Sequence, residues 1–423
     1  MNEFMRTAWK LDKLHFISSP PSEQVLERVF TGRQKEMATI SSAIVDAPRR
    51  LLVKGLFGAG KTATLREMAR RLTSQPTRVL VVDEMLFESD VTIAHVLLRG
   101  LARNLAKESD YAKLLNSRLA GIEEELGEKT AQKDHVKSGI PKFLEAGLSD
   151  EEEKKRTISL QSIPDPISAV RRLIADAVSA LPERRIILFI DDLDKRDPEN
   201  VRKLLVGCRE LIHNPECSFV FTGHPLGILR DAYSSAGGII DREVEVPRMD
   251  RDTMRLMVAR YLGAGRPKTF FRDPEFKGSK VDPDDILPFS EESLDFIIKK
   301  SLGLPRVLNI ICFNILMEAC SLELRQIGLS ELRVCWDACA DQLRNGIRPD
   351  LRDTLELMLQ REDPLNLEDL PDTWFDRLEV ERHEQLMNRI DYALKRDLLI
   401  TADGQHMVIN SLLRRFDEGP GLR

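Results

Sequence analysis

The chain has 423 residues, more than one ordinary hydrophobic core accommodates, so we expect two or three domains. A hydrophobic fraction of 42% and a charged fraction of 31% exclude a disordered chain, and no apolar run is long enough to span a bilayer. The formal net charge is −6. The first residues lack a secretory signal, so we expect a cytoplasmic protein with no membrane partner. The six cysteines lie in apolar patterns and predict reduced core residues.

The most informative motif is an apolar strand at 51–54 that runs directly into a complete G-x-x-x-x-G-K-T sequence at 55–62. Glycines let this loop turn tightly with its N–H groups toward phosphates, the lysine reaches the β and γ oxygens, and the threonine ligates Mg²⁺. Apolar residues at helical spacing from Leu65 to Leu72 place the loop at a helix N-terminus, which favours anions. The pattern predicts a nucleotide triphosphatase with ATP and Mg²⁺ as cofactors. The predicted nucleotide-binding residues here are Gly55, Gly58, Ala59, Gly60, Lys61, Thr62 and Ala63.

A second strand is predicted at 79–83, and the apolar run at 186–190 predicts a strand buried on both faces. The latter ends in Asp191 and Asp192, at the strand end where open α/β sheets bind ligands. We expect Asp191 to hold Mg²⁺ through water and Asp192 to polarise the attacking water. Asp194 is expected to cap the turn before a helix at 200–211.

Further strands are predicted at 218–222 and 243–246, so strands alternate with helices and predict an α/β fold with a parallel sheet and right-handed crossovers. Thr222 ends the strand after the acidic one, where its hydroxyl would orient the water beside the γ-phosphate. The alternative is that Thr222 only caps the strand before Gly223-His224-Pro225.

These residues together resemble the AAA+ ATPases, in particular the origin-recognition and transposition-regulator branch. The segment Val29–Met37 looks like the family's F-x-G-R-x-x-E segment; we call it the upstream segment. The phosphate loop, the acidic pair and Thr222, in the sensor-1 position, follow in the family's order. The sequence Gly303-Leu304-Pro305-Arg306 matches the sensor-2 motif of a helical lid. The resemblance covers roughly residues 25–340.

The resemblance implies roles that the residues alone do not establish. Val29 and Phe30 are expected to border the adenine, and Arg306 to point at the γ-phosphate from the lid, after Pro305 begins a helix at its tolerated first-turn position. A neighbouring subunit's arginine normally completes such a site. Arg242 is the candidate here, with Arg248 and Arg230 as rivals, although an isolated surface arginine is more often a solvated charge.

The chain departs from the family pattern in its acidic pair. Most AAA+ enzymes carry Asp-Glu, whereas Asp191-Asp192 also resembles the STAND and KAP signalling NTPases. Because the shorter carboxylate positions water less well, we expect slow hydrolysis typical of a switch.

The predicted organisation is an N-terminal extension at 1–24, an ATPase core at 25–262 with a charged insertion at about 107–162, a lid at 263–344 and a winged-helix domain at 345–423. The insertion is either a partner contact or solvated surface. The last region contains predicted helices at 351–360, near Trp374 and at 384–395, then a hairpin at 398–409. Residues 341–423 contain 12 Lys and Arg against 18 Asp and Glu, a net of −6, which opposes DNA binding by this domain.

Two functions fit these observations. The first is an AAA+ ATPase that assembles into a homo-oligomer with nucleotide and acts as a switch or loader for an effector protein, with DNA as a further partner through the ATPase core, in replication, transposition or phage defence. The second is a STAND-like signalling ATPase that assembles on ATP and acts through protein partners without DNA.

Overall fold

In a computed structural model the described residues are 3–16, 22–45, 49–73, 79–85, 93–94, 96–97, 100–101, 165–180, 185–191, 193, 205–223, 238–267, 283–347, 349–359, 365–366, 386, 389–390, 393, 399–401 and 406–416. Among them, no helix is long and apolar enough to cross a membrane.

The α-helices of the described part are α1 Glu3–Ala8, α2 Glu23–Val29, α3 Gln34–Val45, α4 Lys61–Thr73, α5 Pro166–Ala180, α6 Arg209–Ile212, α7 Arg251–Gly265, α8 Glu291–Lys300, α9 Pro305–Ser321, α10 Leu329–Asn345 and α11 Pro349–Leu359. The strands are β1 Arg50–Lys54, β2 Val79–Met85, β3 Arg185–Asp191, β4 Cys217–Gly223, β5 Arg242–Glu245, β6 Leu365–Asn366, β7 Leu399–Thr401 and β8 His406–Ile409. Short 3₁₀ helices cover Pro283–Ile286 and Ser411–Leu413.

The chain divides into two compact units. The sheet unit comprises Gln34–Lys54 and Met68–Glu245, and the loop–lid unit comprises Met1–Arg33, Gly55–Glu67 and Val246–Arg423.

The sheet unit is built on a five-stranded parallel sheet in the order β2-β3-β4-β1-β5. The predicted parallel α/β sheet is therefore confirmed, with strand ends that differ by no more than two residues from the predicted ones. Since β3 and β4 are neighbours and Ile190 pairs with Phe221, the strand ends that carry Asp191 and Thr222 lie side by side.

The core of the sheet unit lies between strands and amphipathic helices. In α5, Val170, Leu173, Ile174 and Ala177 recur at helical spacing and are all buried, so one stripe of the helix faces the core. Asp165 begins this helix by accepting a hydrogen bond from the Ser168 N–H at 3.1 Å. Hydrogen bonds from Ser168 lower the pKa of Asp165. The buried strand residues packed in the same core include Leu52, Ile186, Leu188, Ile190, Phe219 and Phe221.

An arginine–carboxylate pair joins Arg50, the first residue of β1, to Asp241, which directly precedes β5. The Arg50 backbone N–H donates to Asp241 Oδ2 at 2.9 Å and its Nε donates to the same oxygen at 3.0 Å, while a guanidinium N–H donates to Oδ1. The Asp241 N–H in turn donates to the Arg50 carbonyl at 2.8 Å. This fork fixes the edge strand β5 and, with it, the start of the strand at Arg242.

The helices of the loop–lid unit begin at well-defined caps. Asp250 accepts from the Thr253 N–H at 2.8 Å to start α7, and Ser290 accepts from the Ser293 N–H at 3.2 Å to start α8. The helix predicted at Glu291–Lys300 is confirmed. Pro305 is the first residue of α9, as predicted, because its missing N–H is not needed there.

The N-terminal arm, residues 3–16, is an integral part of the loop–lid unit. The buried Trp9 indole donates to the Leu324 carbonyl at 2.9 Å, and Phe16 stacks on Tyr261 of α7 with ring centroids 5.2 Å apart. The Asp12 N–H donates to the Gly265 carbonyl at 2.8 Å. The arm therefore packs on α7 and on the residues just after α9.

The residues after β8 fold back onto α10. The Trp336 indole donates to the Arg414 carbonyl at 2.9 Å, and the Phe416 N–H donates to Asp337 Oδ1 at 2.8 Å. The Phe416 ring stacks on Phe296 of α8 at 4.3 Å. Through these contacts residues 414–416 are attached to α8 and α10.

In the last region, α11 matches the helix predicted at 351–360, and β7 pairs antiparallel with β8 as predicted for the hairpin. A third strand, β6, also pairs with β8 and was not predicted. Of the helix predicted at 384–395, Leu386, Arg389, Ile390 and Ala393 are described and helical. The helix near Trp374 and the hairpin turn lie outside the described residues, so the winged-helix assignment stays a prediction.

The helix predicted at 200–211 requires a correction. Its first residues lie outside the described part, and the described remainder is interrupted at Cys208, which has φ −108° and ψ 15°, before α6 begins. Cys208 is buried among the core residues of the sheet unit, so tertiary packing overrides the helical pattern there.

All six cysteines are free and buried, as predicted for core residues. Burial raises the pKa of the Cys217, Cys335 and Cys339 thiols to about 12, so these thiols stay neutral at physiological pH.

Gly265 provides a test of the arm contact. A Cβ at Gly265 would lie 2.1 Å from the Lys13 carbonyl oxygen, whereas a Cβ at Gly346 would lie no closer than 3.6 Å to any neighbour. We expect Gly265→Ala to lower the free energy of unfolding by about 1–3 kcal/mol. Gly346→Ala should change it by less than about 0.5 kcal/mol. Equal denaturant midpoints for the two variants would contradict the packing of the arm on α7.

Candidate functional site

The phosphate loop, residues 55–60, adopts the backbone that its glycines predict. Gly58 has φ +75° and Gly60 has φ +93°, a region that other residues enter at a cost. The Ala59 N–H closes a turn onto the Leu56 carbonyl at 3.1 Å. Gly55 has no room for a side chain, since a Cβ would lie 2.7 Å from the Val246 carbonyl oxygen.

The helix α4 begins at Lys61, so the N–H groups of its first turn have no intrahelical acceptor. Such N–H groups, with the positive end of the helix dipole, make a site for an anion. The predicted binding residues Lys61, Thr62 and Ala63 are the first three residues of this helix.

Lys61 and Thr62 are both half-buried. The Lys61 ammonium donates to the carbonyls of Gly55 at 2.9 Å and Leu56 at 3.3 Å, so it lies against the loop that it is predicted to serve. The Thr62 hydroxyl makes no hydrogen bond within the described part of the chain. Thr64, in contrast, donates its hydroxyl to the Gly60 carbonyl at 2.9 Å. The role of Thr62 as a Mg²⁺ ligand stays a prediction.

The sensor-2 sequence lies directly on the phosphate loop. The Arg306 N–H donates to the Gly58 carbonyl at 3.2 Å, and a Cβ at Gly58 would lie 2.8 Å from the Arg306 Cβ. The preceding turn is held by the Met249 N–H, which donates to the Gly303 carbonyl at 2.9 Å, and by Arg248, which donates to the Leu302 carbonyl at 2.9 Å. The start of α9 is therefore fixed at the loop.

Val29 and Phe30 of the upstream segment are fixed by their own contacts. Val29 is buried and Phe30 is half-buried. The Phe30 N–H donates to the Leu26 carbonyl at 2.8 Å, and the Phe30 carbonyl accepts from the Arg260 guanidinium of α7. Because both backbone groups of Phe30 are engaged, its contribution to an adenine site would come from the ring.

Arg33 is a residue of the site to which the sequence analysis gave no role. Its guanidinium donates to the Ala59 carbonyl at 2.8 Å, and the residue is only 6% exposed. The available signal was a cation that directly follows Gly32 in the upstream segment.

In the sheet unit, the structure brings Asp191 and Thr222 together. The Thr222 hydroxyl donates to Asp191 Oδ1, and the two residues are 0% and 3% exposed respectively. This contact satisfies one oxygen of a buried carboxylate and fixes its orientation. Asp192 and Asp194 lie outside the described residues.

The three candidate arginines differ in their surroundings. Arg242 is exposed at the first position of β5 and follows Asp241, which is fixed by Arg50. Arg248 is half-buried and engaged with the Leu302 carbonyl, a contact that supports the lid turn. Arg230 lies outside the described residues.

Each predicted Mg²⁺ ligand, taken by itself, has chemistry that suits the ion. A threonine hydroxyl and a carboxylate are hard oxygen ligands, and Mg²⁺ in proteins usually takes one or two such groups together with phosphate oxygens and water. Among the described residues, no group of three or more His, Cys, Asp and Glu side chains is placed to hold a metal.

Comparison with known protein families supports the interpretation of the loop and the sheet. Residues 29–213 match a family model described as an AAA ATPase domain. This match spans the upstream segment, the phosphate loop and the acidic strand, and the parallel sheet has the order given above. The chain has the AAA+ P-loop ATPase fold. No curated protein sequence matches it.

Similar solved structures share little sequence with this chain. They include the Aeropyrum pernix ORC2 protein in its ADPNP–ADP complexes, with 10% identity, 94% of this chain and 96% of that chain covered, and a TM-score of 0.48. The Aeropyrum pernix ORC1 protein in complex with DNA has 13% identity, 92% coverage of each chain and a TM-score of 0.45. The Thermotoga maritima RuvB Holliday junction branch migration motor has 14% identity, coverage of 91% and 96%, and a TM-score of 0.41.

The close approach at Gly58 generates a prediction. Gly58→Ala adds left-handed backbone strain and a Cβ that would lie 2.8 Å from the Arg306 Cβ, so we expect nucleotide binding to weaken by about tenfold or more. Gly207→Ala is the control, because a Cβ there meets nothing within 4 Å. Titration with a fluorescent ATP analogue measures both variants, and unchanged affinity in Gly58→Ala would show that the loop tolerates displacement from α9.

Proposed function

We propose that the chain is an ATP-binding and ATP-hydrolysing AAA+ ATPase that assembles with nucleotide and acts as a switch or loader for a partner. The proposal rests on one hydrogen bond at the start of α9. The Gly58 carbonyl of the phosphate loop accepts it from the Arg306 N–H. A loop that binds phosphates and also bonds to the sensor-2 helix provides a physical link between nucleotide occupancy and the lid.

Each predicted residue has a distinct task in this proposal. The N–H groups of residues 58 and 60–63 and the Lys61 ammonium bind phosphates, while Val29 and Phe30 border the adenine. Thr62 and Asp191 would hold Mg²⁺, which when bound neutralises charge on the β and γ oxygens.

For hydrolysis, Asp192 orients the attacking water. Thr222 holds Asp191 and orients the same water, and Arg306 contributes positive charge from the lid. Since Asp192 is one methylene shorter than the usual glutamate, turnover is slow and the nucleotide acts mainly as a switch.

Two variants separate binding from turnover. Lys61→Ala removes the charge that holds the β and γ phosphates, so ATP binding should be lost. Asp192→Asn keeps the side-chain shape but not the base, so ATP should still bind while the hydrolysis rate falls by about 100-fold or more. Lys299→Ala, which removes an exposed lysine of α8, serves as the control. Normal ATP affinity in Lys61→Ala, measured by calorimetry, would refute the proposed site.

The proposed assembly is a homo-oligomer in which Arg242 completes the neighbouring site. The support is its exposed position beside Asp241, which the Arg50 fork fixes. A cation supplied there stabilises negative charge that develops on the γ-phosphoryl group.

A mixing experiment tests the role of Arg242. Arg242→Ala subunits should hydrolyse ATP slowly alone, yet recover part of the rate when mixed with Lys61→Ala subunits, because some interfaces then join an intact loop to an intact arginine. Sedimentation velocity with and without ATP checks that the two variants assemble together. Co-assembly without recovery of the rate would exclude Arg242.

The effector is a protein, and DNA is a further partner through basic residues of the assembled ATPase core. Residues 341–423, with a net charge of −6, form the proposed winged-helix domain and are assigned to protein contact. The free, buried cysteines fit the reducing cytoplasm as the site of action.

The second candidate function is that of a STAND-like signalling ATPase. It is favoured by the sequence Asp191-Asp192 in place of Asp-Glu, and by the net negative charge of residues 341–423. In that case ATP still drives assembly but duplex DNA has no effect. Sizing the wild-type protein with and without ATP, and then with DNA, distinguishes the two functions.

A further inference from the structure

Arg33 combines three properties that an ordinary surface arginine lacks. It is only 6% exposed, its backbone has φ +68°, and its guanidinium donates to a carbonyl of the phosphate loop. A charged side chain is buried at a cost and a non-glycine residue enters the left-handed region at a cost, so the combination at one residue points to a function.

The backbone around Arg33 is held in place from α7. Gly32 precedes it with φ +71°, and a Cβ at Gly32 would lie 2.7 Å from Thr253 Cγ2. Two residues farther upstream, the Phe30 carbonyl accepts from Arg260 of the same helix. These contacts direct the Arg33 side chain toward the loop and not toward solvent.

Arg33 bonds to the carbonyl of a planar peptide group, so this bond also fixes the direction of the N–H in the same peptide. The Ala59 carbonyl and the Gly60 N–H belong to one peptide, and in a trans peptide they point in opposite directions. When Arg33 holds the Ala59 carbonyl at 2.8 Å, the Gly60 N–H points away from Arg33. Within the described residues, the Gly60 N–H donates no hydrogen bond, so it is available to an anion.

The peptide on either side of this one is also fixed. The Gly58 carbonyl accepts from the Arg306 N–H at 3.2 Å, and the Gly60 carbonyl accepts from the Thr64 N–H at 2.9 Å. Arg33 therefore supplies the middle one of three contacts that together orient the loop.

We propose that Arg33 is a positioning residue of the nucleotide site, which holds the Ala59 carbonyl so that the Gly60 N–H faces a phosphate of bound ATP or ADP. This inference rests on the proposed ATPase function. It assigns to Arg33 an action through the loop backbone, which differs from the direct action on the γ-phosphate proposed for Arg306.

The roles proposed for Arg33 and Arg306 predict different effects on the binding of ATP and ADP. The loop N–H groups contact phosphates that ATP and ADP share, so loss of Arg33 weakens both nucleotides by the same factor. Loss of Arg306 lowers the affinity for ATP and leaves the affinity for ADP nearly unchanged. Because the Arg33 contact is equally present before and during reaction, KM rises while kcat changes little.

The experiment compares Arg33→Met, Arg33→Lys and Arg28→Gln with the wild-type chain. Methionine keeps the apolar stem without a donor, and lysine keeps one donor but not the planar fork. Arg28 lies five residues upstream and is exposed, which makes it the matched control. Dissociation constants of fluorescent ATP and ADP are measured well below each variant's melting temperature, together with kcat and KM.

We expect Arg33→Met to weaken ATP and ADP binding by about tenfold or more, the usual effect of losing a hydrogen bond to a charged group. The nucleotide affinity of Arg33→Lys should lie between those of Arg33→Met and the wild type. Arg28→Gln should bind both nucleotides as tightly as the wild type. If the methionine variant does not fold, Arg33→Lys decides the question. A folded Arg33 variant that binds both nucleotides as tightly as Arg28→Gln overturns the proposal, even if its melting temperature is lower. Absence of nucleotide binding in the wild type and in Arg28→Gln overturns the ATPase function and this inference with it.

Discussion

The close contact between Gly58 and Arg306 is the constraint on which the candidate site depends. Gly58 must be glycine for two independent reasons, since its φ is +75° and a Cβ would lie 2.8 Å from the Arg306 Cβ. Its carbonyl also accepts from the Arg306 N–H. A phosphate loop elsewhere needs glycine mainly for its own turn. Here the same glycine also admits the lid helix, so the loop and the sensor-2 sequence form one structural element.

Much of the loop–lid unit supports this contact from a distance. The turn before α9 is held by Arg248 and by the Met249–Gly303 hydrogen bond. Asn309, in the first turns of α9, donates to the buried Tyr261 hydroxyl at 3.3 Å, and Phe16 of the N-terminal arm stacks on the same ring. Residues 3–16 and 414–416 thus both pack on helices of the loop–lid unit.

In the sheet unit, a hydrogen bond between two buried polar side chains orders the end of the acidic strand. Asp191 is a buried carboxylate whose orientation depends on Thr222, and the two meet because β3 and β4 are parallel neighbours in register. Buried polar pairs of this kind are costly if only half satisfied, which makes their geometry specific. At the other end of the sheet, Arg50 and Asp241 fix β5, and Arg242 takes its position from that pair.

The sequence by itself determined the parallel sheet, the phosphate loop and the start of α9, because these depend on local rules: buried parallel strands are apolar, tight turns need glycine, and Pro305 suits a first helical turn. The sequence also placed Asp191 and Thr222 at the ends of two strands, but the hydrogen bond between them was seen only in the structure. Only the tertiary structure decided the break at Cys208, the packing of the N-terminal arm and the role of Arg33. Each of these depends on which atoms a residue meets across a long sequence separation, as when Arg33 meets Ala59, and no local pattern encodes such a contact.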